Sequence, residues 1–156
     1  MNKLLFYLKY LRRFAFLLQF YEVVEIIQHY WNFRLSTKRK ILVVEDNKEL
    51  AKSLSGHLSV EGYEVSETHN GEGAVSLLKE ITYAIVILDL KLPKLSGFDV
   101  LTFIKKNSPG TKVVVLTAYA DPMNVTMCKE LGADDVIAKP YDLEYLFETI
   151  NTLLKK

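Results

Sequence analysis

From residue 41 onward, short strand-like runs alternate with segments of helical spacing, and this alternation limits the possible folds more than any other feature. The runs are residues 41–44, 64–68, 84–88, 112–116 and 135–138, and several consist almost wholly of Ile, Leu and Val. Strands apolar on successive residues are buried on both faces, as in a parallel sheet covered by helices. Between them, apolar residues recur at helical spacing: Leu50, Leu54 and Leu58; Ala74, Leu77 and Leu78; Val100, Leu101 and Ile104; Val125, Cys128 and Leu131; Leu143, Leu146, Phe147 and Ile150. Gly62, Gly71, Gly110 and Gly132 fall between these segments, where turn and helix-stop residues are expected. The expected fold class is α/β, a doubly wound five-stranded parallel sheet, with functional residues at the carboxyl ends of the strands.

Those ends carry chemistry. The first run leads into Glu45 and Asp46, the third into Asp89, the fourth into Thr117, and the fifth into Lys139 and Pro140. In a parallel sheet they share one edge, so residues far apart in sequence converge. Three carboxylates in one pocket repel each other unless a cation lies among them, and hard oxygen donors with room for water suit octahedral Mg2+ better than zinc or iron. Lys139 supplies an ammonium and Thr117 a hydroxyl for a phosphoryl group. A carboxylate becomes a covalent nucleophile, forming an acyl phosphate, when cations offset the charge gathered in the transition state. Asp89 is the best candidate, because it stands alone at the end of the expected central strand. Taken singly, these residues have plainer readings. Glu45 and Asp46 suit a helix N-terminus, Thr117 an ordinary strand, and Lys139 and Pro140 a loop. Asp89 is harder to dismiss, since a carboxylate after a fully apolar strand is expensive to desolvate without a partner. His29, His57 and His69 lack metal-ligand spacing, and Cys128 lies on the apolar spacing of its helix.

Five motifs recur in order: Ile41-Leu-Val-Val-Glu-Asp-Asn47, Asp89-Leu-Lys-Leu-Pro-Lys-Leu-Ser-Gly97, Thr117-Ala118, Gly132-Ala-Asp-Asp135 and Lys139-Pro140. On these, residues 41–154 resemble the receiver domain of two-component response regulators. The resemblance implies a flavodoxin-like fold in which Asp89 accepts phosphate from phosphohistidine. It implies Mg2+ held by Glu45, Asp46, Asp89 and the backbone carbonyl of Lys91, and a phosphoryl group read by Thr117 and Lys139. Pro93 and Gly97 would shape the loop after Asp89. Such a module is a signalling protein and not an enzyme, served by a histidine kinase or histidine phosphotransfer protein and read by a downstream protein target. Receivers commonly carry an aromatic switch residue three positions before the motif lysine; Val136 stands there. Leu88 to Pro93, Thr117 to Tyr119, Lys129 to Ala133 and Ala138 to Asp142 are similar to the single-domain receiver of the sporulation phosphorelay, which implies a phosphotransfer intermediate. Lys91 and Tyr119 flank the site and are large enough to obstruct an attacking water, so a long-lived Asp89 phosphate is expected.

Charge divides the chain. The net +1 conceals eight basic and two acidic residues in positions 1–40, a net +6, against a net −5 in the remainder. Ten of the 18 aromatics lie in the first 33 residues, whereas all seven glycines and four prolines follow residue 55. The expected organisation is a helical, aromatic and basic leader at 1–36, a polar linker at 37–40 and the receiver-like domain at 41–156. The leader's longest uncharged runs, 14–21 and 26–33, are eight residues each, against the roughly 20 of a membrane span, and no small-residue cleavage site follows them. Three readings stand for it: self-association or pairing with a partner helix, an interfacial helix on the inner membrane surface, or an over-extended reading frame whose true start lies near residue 37. The acidic balance of the larger part argues against nucleic acid. The single cysteine, Cys128, excludes an intramolecular disulfide scaffold and fits a reducing cytoplasm. With only Lys155 and Lys156 after Leu154, output is expected through another protein or the leader. Two rival functions are a Mg2+-dependent phosphatase, which would carry Asp-x-Asp at the first strand end where this chain has Glu45-Asp46, and a pseudo-receiver scaffold independent of phosphorylation.

Overall fold

The computed structural model describes residues 39–155. The leader and residues 37–38 of the linker lie outside the described residues. Five strands and five helices alternate: β1 Lys40–Val44, α1 Lys48–Val60, β2 Glu64–Thr68, α2 Gly71–Glu80, β3 Ile85–Leu88, α3 Gly97–Asn107, β4 Lys112–Thr117, α4 Pro122–Glu130, β5 Asp135–Ala138 and α5 Leu143–Lys155. All strand pairs are parallel, in the order β2-β1-β3-β4-β5. The doubly wound α/β sheet is therefore as expected. Strand order reverses at β1, so a crevice opens between β1 and β3 at their carboxyl ends.

The period of two along each strand divides the core. Leu42, Val44, Val86, Leu88, Val113 and Val115 face Ala74, Leu78, Val100, Leu101, Ile104 and Cys128. On the other face, Ile41, Val43, Ile85, Ile87, Val114 and Leu116 meet Ala51, Leu54, Leu58, Leu146 and Ile150. Each fully buried aliphatic side chain contributes about 1.5–3 kcal/mol relative to exposure. The uninterrupted apolar text of β1, β3 and β4 thus reflects helices on both sides.

Side chains start the helices by accepting orphan N–H groups. Asn47 accepts from Glu49 and Leu50, Asn70 from Gly73, and Asp121 from Met123 and Asn124, with Pro122 in the first turn. Ser96 and Asp99 form a capping box at α3.

Some expectations shift. β1 opens at Lys40, a residue earlier, and Arg39 donates from its guanidinium to the Leu154 carbonyl at 2.5 Å. Gly62 (φ 94°) and Gly132 (φ 92°) do follow helices in the left-handed region. Gly71 is instead the first residue of α2, where a Cβ would meet the Leu95 carbonyl oxygen at 2.3 Å. In α1 the core position belongs to Ala51, and Leu50 is only half-buried. In α4 only Cys128 is buried, and Leu131 lies just past the helix. Hydrophobic spacing alone did not anticipate how shallowly α4 sits.

Candidate metal and phosphoryl site

The carboxyl ends of β1 and β3 bring Glu45, Asp46 and Asp89 together, with one carboxylate oxygen from each within 4.8 Å of the others. Register explains this: Val44 pairs with Leu88, and the Asp89 N–H continues the ladder by donating to the Val44 carbonyl at 2.9 Å. Glu45 and Asp89 are buried, whereas Asp46 is exposed. Lys139, following β5, donates from Nζ to Glu45 Oε2 and to Asp89 Oδ2, both at 2.5 Å. The Lys139–Pro140 peptide is cis. The Lys139 N–H donates to the Thr117 carbonyl at 2.9 Å, so these two residues are tied across β4 and β5. Thr117 is fully buried, and its Oγ1 accepts the Tyr119 N–H at 3.0 Å.

The loop after β3 wraps the same carboxylate. The Lys91 N–H donates to Asp89 Oδ1 at 3.0 Å, and the exposed Lys91 side chain reaches the Tyr119 hydroxyl at 3.2 Å. The loop can turn this tightly because α3 begins with Gly97, where a Cβ would lie 2.3 Å from the Asp89 carbonyl oxygen and 2.5 Å from Leu90 Cα. Backbone at such distances has no flexible end to move aside, so any larger residue would displace the loop that carries Asp89.

Burial pushes the Glu45 carboxyl above the ordinary glutamate range, and its hydrogen bond to Lys139 only partly offsets this. Burial alone would lower the Lys139 ammonium, but its hydrogen bonds to Asp89 and Glu45 outweigh desolvation and raise it. The two shifts pull the shared proton in opposite directions. The geometry favours a cationic Lys139, since it is joined to two carboxylates at once. One ammonium facing three carboxylates leaves negative charge uncompensated in a half-closed pocket. An all-oxygen donor set of this size and charge fits a hard divalent cation such as Mg2+.

Two features of this corner escape reading along the sequence. His69, one residue beyond β2, places Nδ1 3.0 Å from the Glu45 carbonyl oxygen. Its position just past a strand paired with β1 was the available signal; metal-ligand spacing was not. An apolar groove of about 570 Å3 also opens beside Lys139, lined by Leu50, Leu54 and His57 of α1, by Tyr141 of the loop after β5 and by Leu143 at the start of α5.

Residues 41–151 match the response regulator receiver domain. The chain belongs to that family. The receiver is 36% identical over 119 residues to the uncharacterized transcriptional regulatory protein YkoG of Bacillus subtilis, a match covering 76% of this chain and 52% of the relative. The chain thus spans about half the length of that curated relative. Among solved structures, it is similar to a CheY-like receiver domain protein from Methanospirillum hungatei (TM-score 0.74, 29% identity, covering 76% of this chain and 95% of that one). It is also similar to the response regulator TrrA of Thermotoga maritima in complex with Mg2+ and BeF (TM-score 0.68, 33% identity, 74% and 99% covered). Receiver domains are modules of two-component signal transduction, and the flavodoxin-like architecture expected from the motifs is the one this chain adopts. Among the described residues, no helix is long and apolar enough to cross a membrane.

Proposed function

We propose that this receiver takes a phosphoryl group from a phosphohistidine of a histidine kinase or histidine phosphotransfer protein onto Asp89. The observation that carries the reading is the double hydrogen bond of Lys139 to Glu45 and Asp89, set within a three-carboxylate cluster. An Asp89 oxygen attacks phosphorus, and the P–O bond forms as the P–N bond to the donor imidazole breaks. Lys139 offsets charge on the transferred phosphoryl oxygens, and the Thr117 hydroxyl donates to one of them. Glu45, Asp46, Asp89 and the Lys91 carbonyl are the residues that would hold Mg2+, which supplies charge neutralisation for in-line transfer. The Lys91 N–H holds Asp89 in place through Oδ1.

Signalling then proceeds through a downstream protein target or by handing the group to another histidine. Val136 supports this emphasis: it is half-buried against the core and has no ring to swing inward. The groove beside Lys139 offers apolar contact for a donor protein where it must approach Asp89. A cytoplasmic setting, and a receiver part that does not itself contact nucleic acid, complete the proposal. For residues 1–36, self-association or a partner helix stands ahead of an inner-membrane surface.

Intact mass after incubation with acetyl phosphate and Mg2+ tests the proposal. The wild type should gain one phosphoryl group, while Asp89→Asn, and the wild type with chelator, should gain none. No gain on the wild type would put the pseudo-receiver scaffold in front.

A further inference from the structure

We infer that His69 is a positioning residue for the metal ligand Asp46, an inference that rests on the Mg2+ site proposed above. The peptide joining Glu45 to Asp46 lies between the two acidic side chains, and the last residue of β2 and the one after it hold the Glu45 backbone on both sides. The Glu45 N–H donates to the Thr68 carbonyl at 3.1 Å, and the Glu45 carbonyl faces His69 Nδ1 at 3.0 Å. A carbonyl oxygen only accepts, so His69 donates through Nδ1–H. Glu45 has further anchors, its carboxylate accepting from Lys139 and from the Asn47 N–H at 3.4 Å. Asp46 is different: it is exposed, and the charge set against it is the ammonium of the exposed Lys91 side chain. The plane of the peptide that precedes Asp46 fixes where its Cα and Cβ stand, and His69 holds that plane, so the carboxylate turns towards the cation from a fixed base. Groups that orient a ligand from behind typically change metal affinity 10- to 100-fold when removed. His69 touches neither metal nor phosphoryl group in this role.

Calorimetric Mg2+ titration of the full chain, alongside thermal unfolding without metal, tests this. His69→Ala and the larger donor-free His69→Leu should each weaken Mg2+ binding about tenfold. His69→Asn, whose amide nitrogen takes about the place of Nδ1, should bind within a few-fold of wild type. Unfolding temperatures without Mg2+ should stay close to wild type in at least one donor-free variant, and that variant is the one read. Undiminished binding in it, or a folded His69→Asn as weak as it, overturns the role of His69 alone. A wild type that takes up no Mg2+ overturns the metal site and this inference together.

Discussion

Glu45 and Lys139 compete for one proton in the pocket proposed above to receive Mg2+. Carboxylates ligate metal only when deprotonated. Because burial raises the Glu45 carboxyl, protons should begin displacing Mg2+ at a higher pH than an exposed glutamate would allow. Calorimetric titrations across pH should show affinity falling on acidification, with Glu45→Gln moving the onset of that fall to lower pH. The linkage to folding has the opposite sense: a raised carboxyl favours the folded state at low pH, and that contribution is lost as pH rises through the folded-state value. A second prediction concerns Lys91 and Tyr119, whose side chains meet at 3.2 Å beside Asp89. If they obstruct the attacking water, the Lys91→Ala, Tyr119→Ala double variant should lose its Asp89 phosphate several-fold faster than wild type, followed by intact mass over time. A wild-type half-life of seconds that the truncations leave unchanged would refute the obstruction. At this scale the residue types and their order were legible along the chain, but which side chains touch was not. His69 looked like any partly buried histidine until β2 placed it against β1.

Among the elements, the far edge of the sheet explains a motif that the site does not use. Asp134, just before β5, accepts from Lys105 of α3 at 2.7 Å, from Lys112 of β4 at 3.1 Å and from the Val113 N–H at 2.9 Å. It ties three elements at the amino ends of the strands, opposite the carboxylate cluster. Burial alone would raise the Asp134 carboxyl, but these donors outweigh it and hold the group below the ordinary aspartate range. Asp134→Asn should destabilise the domain by about 2 kcal/mol at neutral pH, in line with loss of hydrogen bonds between charged groups, as read by urea unfolding. A lowered carboxyl stabilises above its unfolded value and loses that contribution as pH falls through the folded one. The gap between wild type and variant should therefore close in acid. The strands were legible because apolar runs buried on both faces leave an unmistakable pattern. α4 was less so, since a helix that buries only Cys128 is held by tertiary contacts its own spacing does not encode.

On the scale of the whole molecule, residues 39–156 form a compact unit of their own; among the described residues, its two core clusters draw on side chains between Ile41 and Leu154, and Arg39 donates to the Leu154 carbonyl. A chain beginning at Arg39 should therefore melt cooperatively and gain a phosphoryl group from acetyl phosphate as the full chain does. Aggregation or loss of labelling would show that residues 1–38 are needed for folding or chemistry. The sequence by itself determined the α/β class, and with it the convergence of Glu45, Asp46, Asp89, Thr117 and Lys139 on one sheet edge. Parallel strands put every carboxyl end on the same side whatever their order, so that much follows from pattern alone. The tertiary structure decided the strand order, the reach of Lys139 to two carboxylates, the close passage of Gly97 over the Asp89 loop and the grip of His69 on the Glu45 peptide. These depend on register between strands and on approaches of a few ångströms between residues 8 to 94 positions apart, which no local periodicity can carry.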